Sequence, residues 1–237
     1  MDGSSLDRIT FNFETVIQEI CGLGWAALDE SAVIDAAWAY YFFSVQFQEN
    51  LDVAQELFPG DEKLQDLASE ECNTANLSPW PGVAGTGEAM NHCEFMRRVL
   101  TLSPIPEAKR LAFEASGARY LHAVRHTNPL TRALSIASYE DGGLERVFTA
   151  MLTTLESDNP VLRGFRHFLL MHVTFDSDPT QGHGAMIRHL RPDDRILPLW
   201  TAFRDILVEF APALAVGRAK TSACDDSNSS HAERKRA

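Results

Sequence analysis

The sequence predicts an all-α protein in a single domain. Three observations lead there: apolar residues recur at three- and four-residue spacing over most of the chain, no alternating strand pattern is found, and no repeat of 20–50 residues appears. At 237 residues the chain is long enough to bury a sizeable core without disulfide or metal staples. The reading is a bundle of about seven helices over residues 1–215, with a disordered, polar and charged tail over 216–237.

The elements follow in order. "SAVIDAAWAYYFFSVQFQENLDVAQELF" reads as a long helix capped by Ser31 and stopped by Pro59-Gly60. Its "AWAYYFF" stretch belongs to the core. "DEKLQDLASEE" is a short amphipathic helix capped by Asp61, and residues 73–87, rich in Pro, Gly, Ser and Asn, form an irregular loop. Helical period resumes in "EAMNHCEFMRRVLTL", and again after Pro106, with Glu107 in the first turn as a helix start prefers. "PLTRALSIASYEDGGLERVFTAMLTTLES" is helical with a kink at Gly142-Gly143. A helix capped at Asn159-Pro160 runs to Pro179, and "RILPLWTAFRDILVEFAPALAV" supplies the last one.

Charge and cysteine usage narrow the class. A formal net charge of −12 argues against a nucleic-acid or anionic-membrane surface. No stretch reaches the roughly 20 apolar residues of a membrane span, and no cleavable leader opens the chain. Four cysteines at no metal-binding spacing suit a reducing cytoplasm as packing thiols, and none recommends itself as a nucleophile. The expected partner is a small-molecule substrate, with a homodimer left open.

Several polar residues sit in apolar surroundings. Glu88 and His92 are four apart, about 40° around a helix, so both can face one point. His172 and Asp176 repeat that spacing. Glu140 ends an apolar stretch, and His183 opens a resumed helix seven residues after Asp176. Mixed carboxylate and imidazole donors projected inward from facing helices are how helical proteins hold two iron or manganese ions. The plain alternative is a set of solvated carboxylate–histidine pairs. His122 and His126, beside Arg119 and Arg125, read as surface histidines. Arg163, Arg166 and Arg188 read as exposed, with anchoring of a substrate carboxylate as the alternative.

The order "E-x3-H-x-E", a Glu before a helix break, then "H-x3-D" followed by "H-G" resembles the haem-oxygenase-like di-iron oxidases and oxygenases. The resemblance spans roughly residues 30–210 but is specific only at "EAMNHCEF", "SYEDG" and "HVTFDSDPTQGHG". It implies a seven-helix fold without haem and two Fe(II) ions held by Glu88, His92, Glu140, His172, Asp176 and His183. O2 is the implied co-substrate. Glu70 or Glu71 is the alternative to Glu88, and Asp178 the alternative to His183, because relatives space the last His closer to the acid. The implied activity is desaturation, carbon–carbon cleavage or N-oxygenation of a small amino-acid- or fatty-acid-like metabolite in specialised metabolism. Competing readings are a metal-free hydrolase or cofactor-free enzyme of the same fold, and a non-enzymatic helical binding protein.

Overall fold

The computed structural model describes residues 12–153, 157–176 and 182–216, the side chain of Asp176 excepted. Among them are ten α-helices and no strand, more helices than the expected seven. The all-α expectation therefore holds. The surplus comes from α1 (Phe13–Cys21), which the sequence reading did not propose, and from long patterns that break into separate pieces.

α2 (Glu30–Leu57) is the axis of the molecule. Its cap is Asp29, whose Oδ1 accepts from Ala32 N at 2.8 Å, so the expected Ser31 cap lies inside the helix. α3 (Glu62–Cys72) starts at Asp61 as expected, with Asp61 Oδ1 accepting from Leu64 N at 3.1 Å. α4 (His92–Leu100) starts later than the helical period suggested. Asn91 is its cap, and Met90 pairs with Thr74 across the loop as an isolated β-bridge.

α5 (Glu107–Arg125) and α6 (Pro129–Ser138) follow. A kinked, π-like turn, Tyr139–Gly143, with non-helical backbone at Asp141 and Gly142, then joins α6 to α7 (Leu144–Leu152). The kink expected at the glycine pair is this turn. Gly142 takes φ +84°, a left-handed backbone that other residues adopt only at a cost. α8 (Pro160–Asp176), α9 (His183–Ile187) and α10 (Leu197–Phe210) complete the set.

α2 packs against α3, α4, α5, α6, α8 and α10. One continuous apolar core runs from Val16 to Leu214, with Tyr40 and Phe43 of "AWAYYFF" inside it. No helix among the described residues is long and apolar enough to cross a membrane. The expected tail lies outside the described residues from residue 217 onward.

Candidate metal centre

Five polar side chains converge where α3, α4, α8, α9 and the kinked turn meet. α3 buries Leu64, Leu67, Ala68 and Glu71, an i, i+3, i+4, i+7 stripe whose last member is a carboxylate. Glu71 thus enters the core because of its place on the apolar face. His92 is the first residue of α4, so the Asn91 cap fixes where its ring begins. His172 lies one turn before the end of α8. Glu140 comes from the kinked turn at Tyr139–Gly143, where Asp141 and Gly142 leave helical geometry. His183 opens α9, and the next residue must be small: a Cβ on Gly184 would lie 2.8 Å from the Glu140 carbonyl oxygen.

Two groups share Glu71. Glu71, His92 and His172 form one, and Glu71, Glu140 and His183 form the other, with donor atoms in each group within 4.8 Å of one another. First-row divalent ions bind such atoms at roughly 2.0–2.2 Å, which sets opposite ligands about 4 Å apart. These groups can hold a metal ion.

In the first group, Glu71 Oε2 lies 2.5 Å from His92 Nδ1, and His172 Nε2 lies 3.1 Å from the same nitrogen. His172 Nδ1 faces the Phe168 carbonyl at 2.7 Å, so that nitrogen carries the proton and Nε2 presents its lone pair to the cluster. One hydrogen on His92 Nδ1 cannot serve both of its acceptors well. His92 Nε2 is then a buried lone pair with no hydrogen-bond partner among the described residues. A cation between the three atoms would satisfy the excess of acceptors. Burial, reinforced by His92, pushes His172 down to about 3, which keeps the ring neutral.

The second group carries the opposite charge pattern. His183 Nδ1 sits 3.0 Å from Glu71 Oε1 and 3.1 Å from Glu140 Oε2. Burial disfavours charge on His183, but the two carboxylates outweigh it and push the ring up to about 12. Burial also opposes the Glu71 charge, yet the His92 and His183 rings hold its carboxyl well below the usual range. Glu140 stands above its ordinary value because burial outweighs the attraction of His183. Without a metal, an imidazolium stands in for the cation that the buried carboxylates require.

A cavity of about 20 Å3 adjoins the cluster, walled by Tyr40, Phe43, Phe47 and Phe168 with Ser44 and Gln48 as polar points. That is room for one water molecule or a diatomic gas, at roughly 10–15 Å3 per water.

Of the residues expected in the site, the fold brings together His92, Glu140, His172 and His183, and with them Glu71, which had been the alternative. Glu88 is corrected. The i, i+4 geometry assumed a helix through residues 88–92, but Glu88 precedes the Asn91 cap and turns outward. Its oxygens accept from Gly85 N at 2.8 Å and Arg98 at 2.7 Å, and its side chain is 40% exposed. Asp178 and the side chain of Asp176 lie outside the described residues.

The remaining described histidines lie elsewhere. His122 and His126 lie at the surface, as expected, with their rings in tilted contact. His167 stacks on Trp80 with ring centroids 4.3 Å apart, and His189 pairs with Asp61 at 2.5 Å. Arg188 is held by Asp141 at 2.8 Å, while burial and Glu94 push the half-buried Cys93 thiol up to about 11, which makes it a poor nucleophile.

Fold and site together define an all-helical protein with a buried carboxylate–histidine cluster able to take a metal. The chain matches no protein-family model, no curated protein and no solved structure.

Proposed function

We propose that the chain is an O2-dependent, non-haem di-iron oxidase or oxygenase of the haem-oxygenase-like class. The observation that carries this reading is the pair of buried carboxylate–histidine groups sharing Glu71. A shared carboxylate is what a bridged two-metal centre needs, and a mixed oxygen and nitrogen donor set suits iron. Glu71, His92 and His172 would hold one ion; Glu71, Glu140 and His183 the other. Bound iron would supply the reduction of O2.

The chain's own residues then have defined work. The Phe168 carbonyl orients His172 so that its lone pair faces inward. Tyr40, Phe43, Phe47 and Phe168 exclude bulk water, and the cavity they wall admits a molecule the size of O2. His183 holds a proton between Glu71 and Glu140 that a metal would displace. Substrate class follows from the resemblance: a small amino-acid- or fatty-acid-like metabolite, with desaturation, carbon–carbon cleavage or N-oxygenation as outcomes. The ligand set does not choose among them.

One observation favours a second reading, a helical protein that binds no metal. The His183 imidazolium already lies between the two buried carboxylates and offsets one of their two charges, so the cluster can stand as an internal ion group.

Anaerobic loading with Fe(II) separates the two. The metal reading expects about two iron ions per chain and an absorbance transient when O2 is admitted. Glu140→Ala, which touches only one group, should leave about one iron and remove the transient. No iron on a folded chain sinks the oxidase reading and leaves the ion group.

A further inference from the structure

The last turn of α3 carries two consecutive glutamates, and only Glu71 belongs to the two metal-binding groups. Consecutive helical residues point about 100° apart, so Glu70 and Glu71 cannot face the same centre. Glu71 is buried, while the Glu70 side chain is 44% exposed. Yet both reach the same imidazole. Glu71 Oε1 lies 3.0 Å from His183 Nδ1, and Glu70 Oε2 lies 3.3 Å from His183 Nε2. The two glutamates grip the two nitrogens of one ring, one from inside the cluster and one from its rim.

We propose that Glu70 is a positioning residue for His183, accepting the Nε2 hydrogen so that Nδ1 is left as the ligand atom facing Glu71 and Glu140. The inference rests on the metal-centre reading. A neutral imidazole has one N–H, and the nitrogen that bears it cannot bind a metal. A carboxylate beside Nε2 selects the tautomer with the proton there, fixes the ring's orientation and makes the other nitrogen a stronger donor. Glu70 itself stands on the far side of the ring from Glu71 and Glu140, so it acts through His183.

The surroundings explain why such help is needed. α9 has only five residues, too short to hold a side chain by its own helical stiffness. Phe175 packs on the His183 ring at 4.8 Å between centroids, which limits its tilt but says nothing about its proton. The other outer histidine is handled in the same way by different means. His172 gives its Nδ1 hydrogen to the Phe168 carbonyl, a backbone group its own helix provides. His183 begins its helix and has no carbonyl four residues earlier in that helix, so a side chain from α3 takes that role.

Equilibrium dialysis of the full chain against Fe(II) without oxygen tests this, with circular dichroism to check the fold. The wild-type chain should bind two ions. Glu70→Ala should keep one and bind the second about 10–100-fold more weakly. Glu70→Gln should bind both nearly as the wild type does, because its amide oxygen accepts the same N–H. Wild-type binding of both ions by Glu70→Ala overturns the assignment. So does equal damage in Glu70→Gln and Glu70→Ala, which would make Glu70 a ligand. A wild-type chain that takes up no iron refutes the metal-centre reading and the role of Glu70 with it, whereas two ions in both wild type and Glu70→Ala refute only the role of Glu70.

Discussion

Two buried polar regions meet at the peptide between Tyr139 and Glu140, and they are built on opposite rules. On the α2, α5 and α6 side, donors meet acceptors. Gln46 Nε2 donates to the Tyr139 hydroxyl at 2.7 Å, and the Tyr120 hydroxyl donates to Gln46 Oε1. Asn50 donates to Ser135 Oγ at 3.1 Å and accepts from Arg132 Nε at 2.8 Å. On the Glu140 side, acceptors outnumber donors: two carboxylates share the His183 Nδ1 hydrogen, and Glu71 and His172 Nε2 compete for the one on His92 Nδ1. A satisfied ladder needs nothing from outside and specifies how helices pack. An acceptor-rich cluster is stable only with a proton or a cation inside it. The difference marks one region as architecture and the other as a candidate metal site.

The hardest way to break this contrast is to remove the residue common to both groups. On the di-iron reading, Glu71→Ala should abolish binding of both ions, where Glu140→Ala should lose one. Removing one member of a buried charge pair costs about 3–5 kcal/mol, so Glu71→Gln is the companion that keeps the fold. Iron counts per chain on both variants, with thermal unfolding alongside, measure the two effects separately. Retention of one ion by Glu71→Gln would contradict a shared ligand.

Reading the sequence reached the helices because their apolar spacing is long and regular, and it reached Glu140 as the polar end of an apolar stretch and through the resemblance at "SYEDG". It missed α1, where the nine residues Phe13–Cys21 are preceded by a polar opening. It preferred Glu88 over Glu71 for a physical reason. An i, i+4 pair is legible in one helix, whereas Glu71 meets His92 only after a loop closes between them. The signal for Glu71 was nonetheless local: a carboxylate at the next position of the Leu64, Leu67, Ala68 stripe. Asn91 gave the matching warning, since a helix capped there cannot include Glu88. Tertiary pairing of acceptors has no such local sign, which is why Glu70 could not be given its place.

A milder test works on the ladder. Gln46→Ala takes the partner from two buried tyrosine hydroxyls, and unsatisfied buried groups cost about 1–3 kcal/mol. At this chain length each kcal/mol lowers the melting temperature by about 2–4 °C. The number of irons bound should not change. A fall in iron binding together with the fall in stability would mean that the two regions are one network joined through Tyr139 and Glu140, and the contrast would fail.

The smallest effect calibrates both by using a polar contact of a third kind, an ion cluster at the surface. Glu94 accepts from Arg97 Nε at 2.6 Å and from Arg98 Nε at 2.7 Å, and these bonds, Arg97 first, pull its carboxyl down to about 2. A carboxyl whose value is depressed on folding stabilises the fold above its ordinary value near 4.5 and loses that contribution as pH falls towards 2. Solvent screens the pairs, so Glu94→Gln should cost less than about 1 kcal/mol at pH 7. The gap to wild type should close progressively between about pH 4.5 and 2, read by denaturant unfolding across that range. The exposed cluster tolerates loss of a partner because water replaces it. Neither buried region has that recourse, so Gln46→Ala and Glu71→Gln should both exceed it. A Glu94→Gln cost as large as theirs would mean that burial does not set the scale of these contacts.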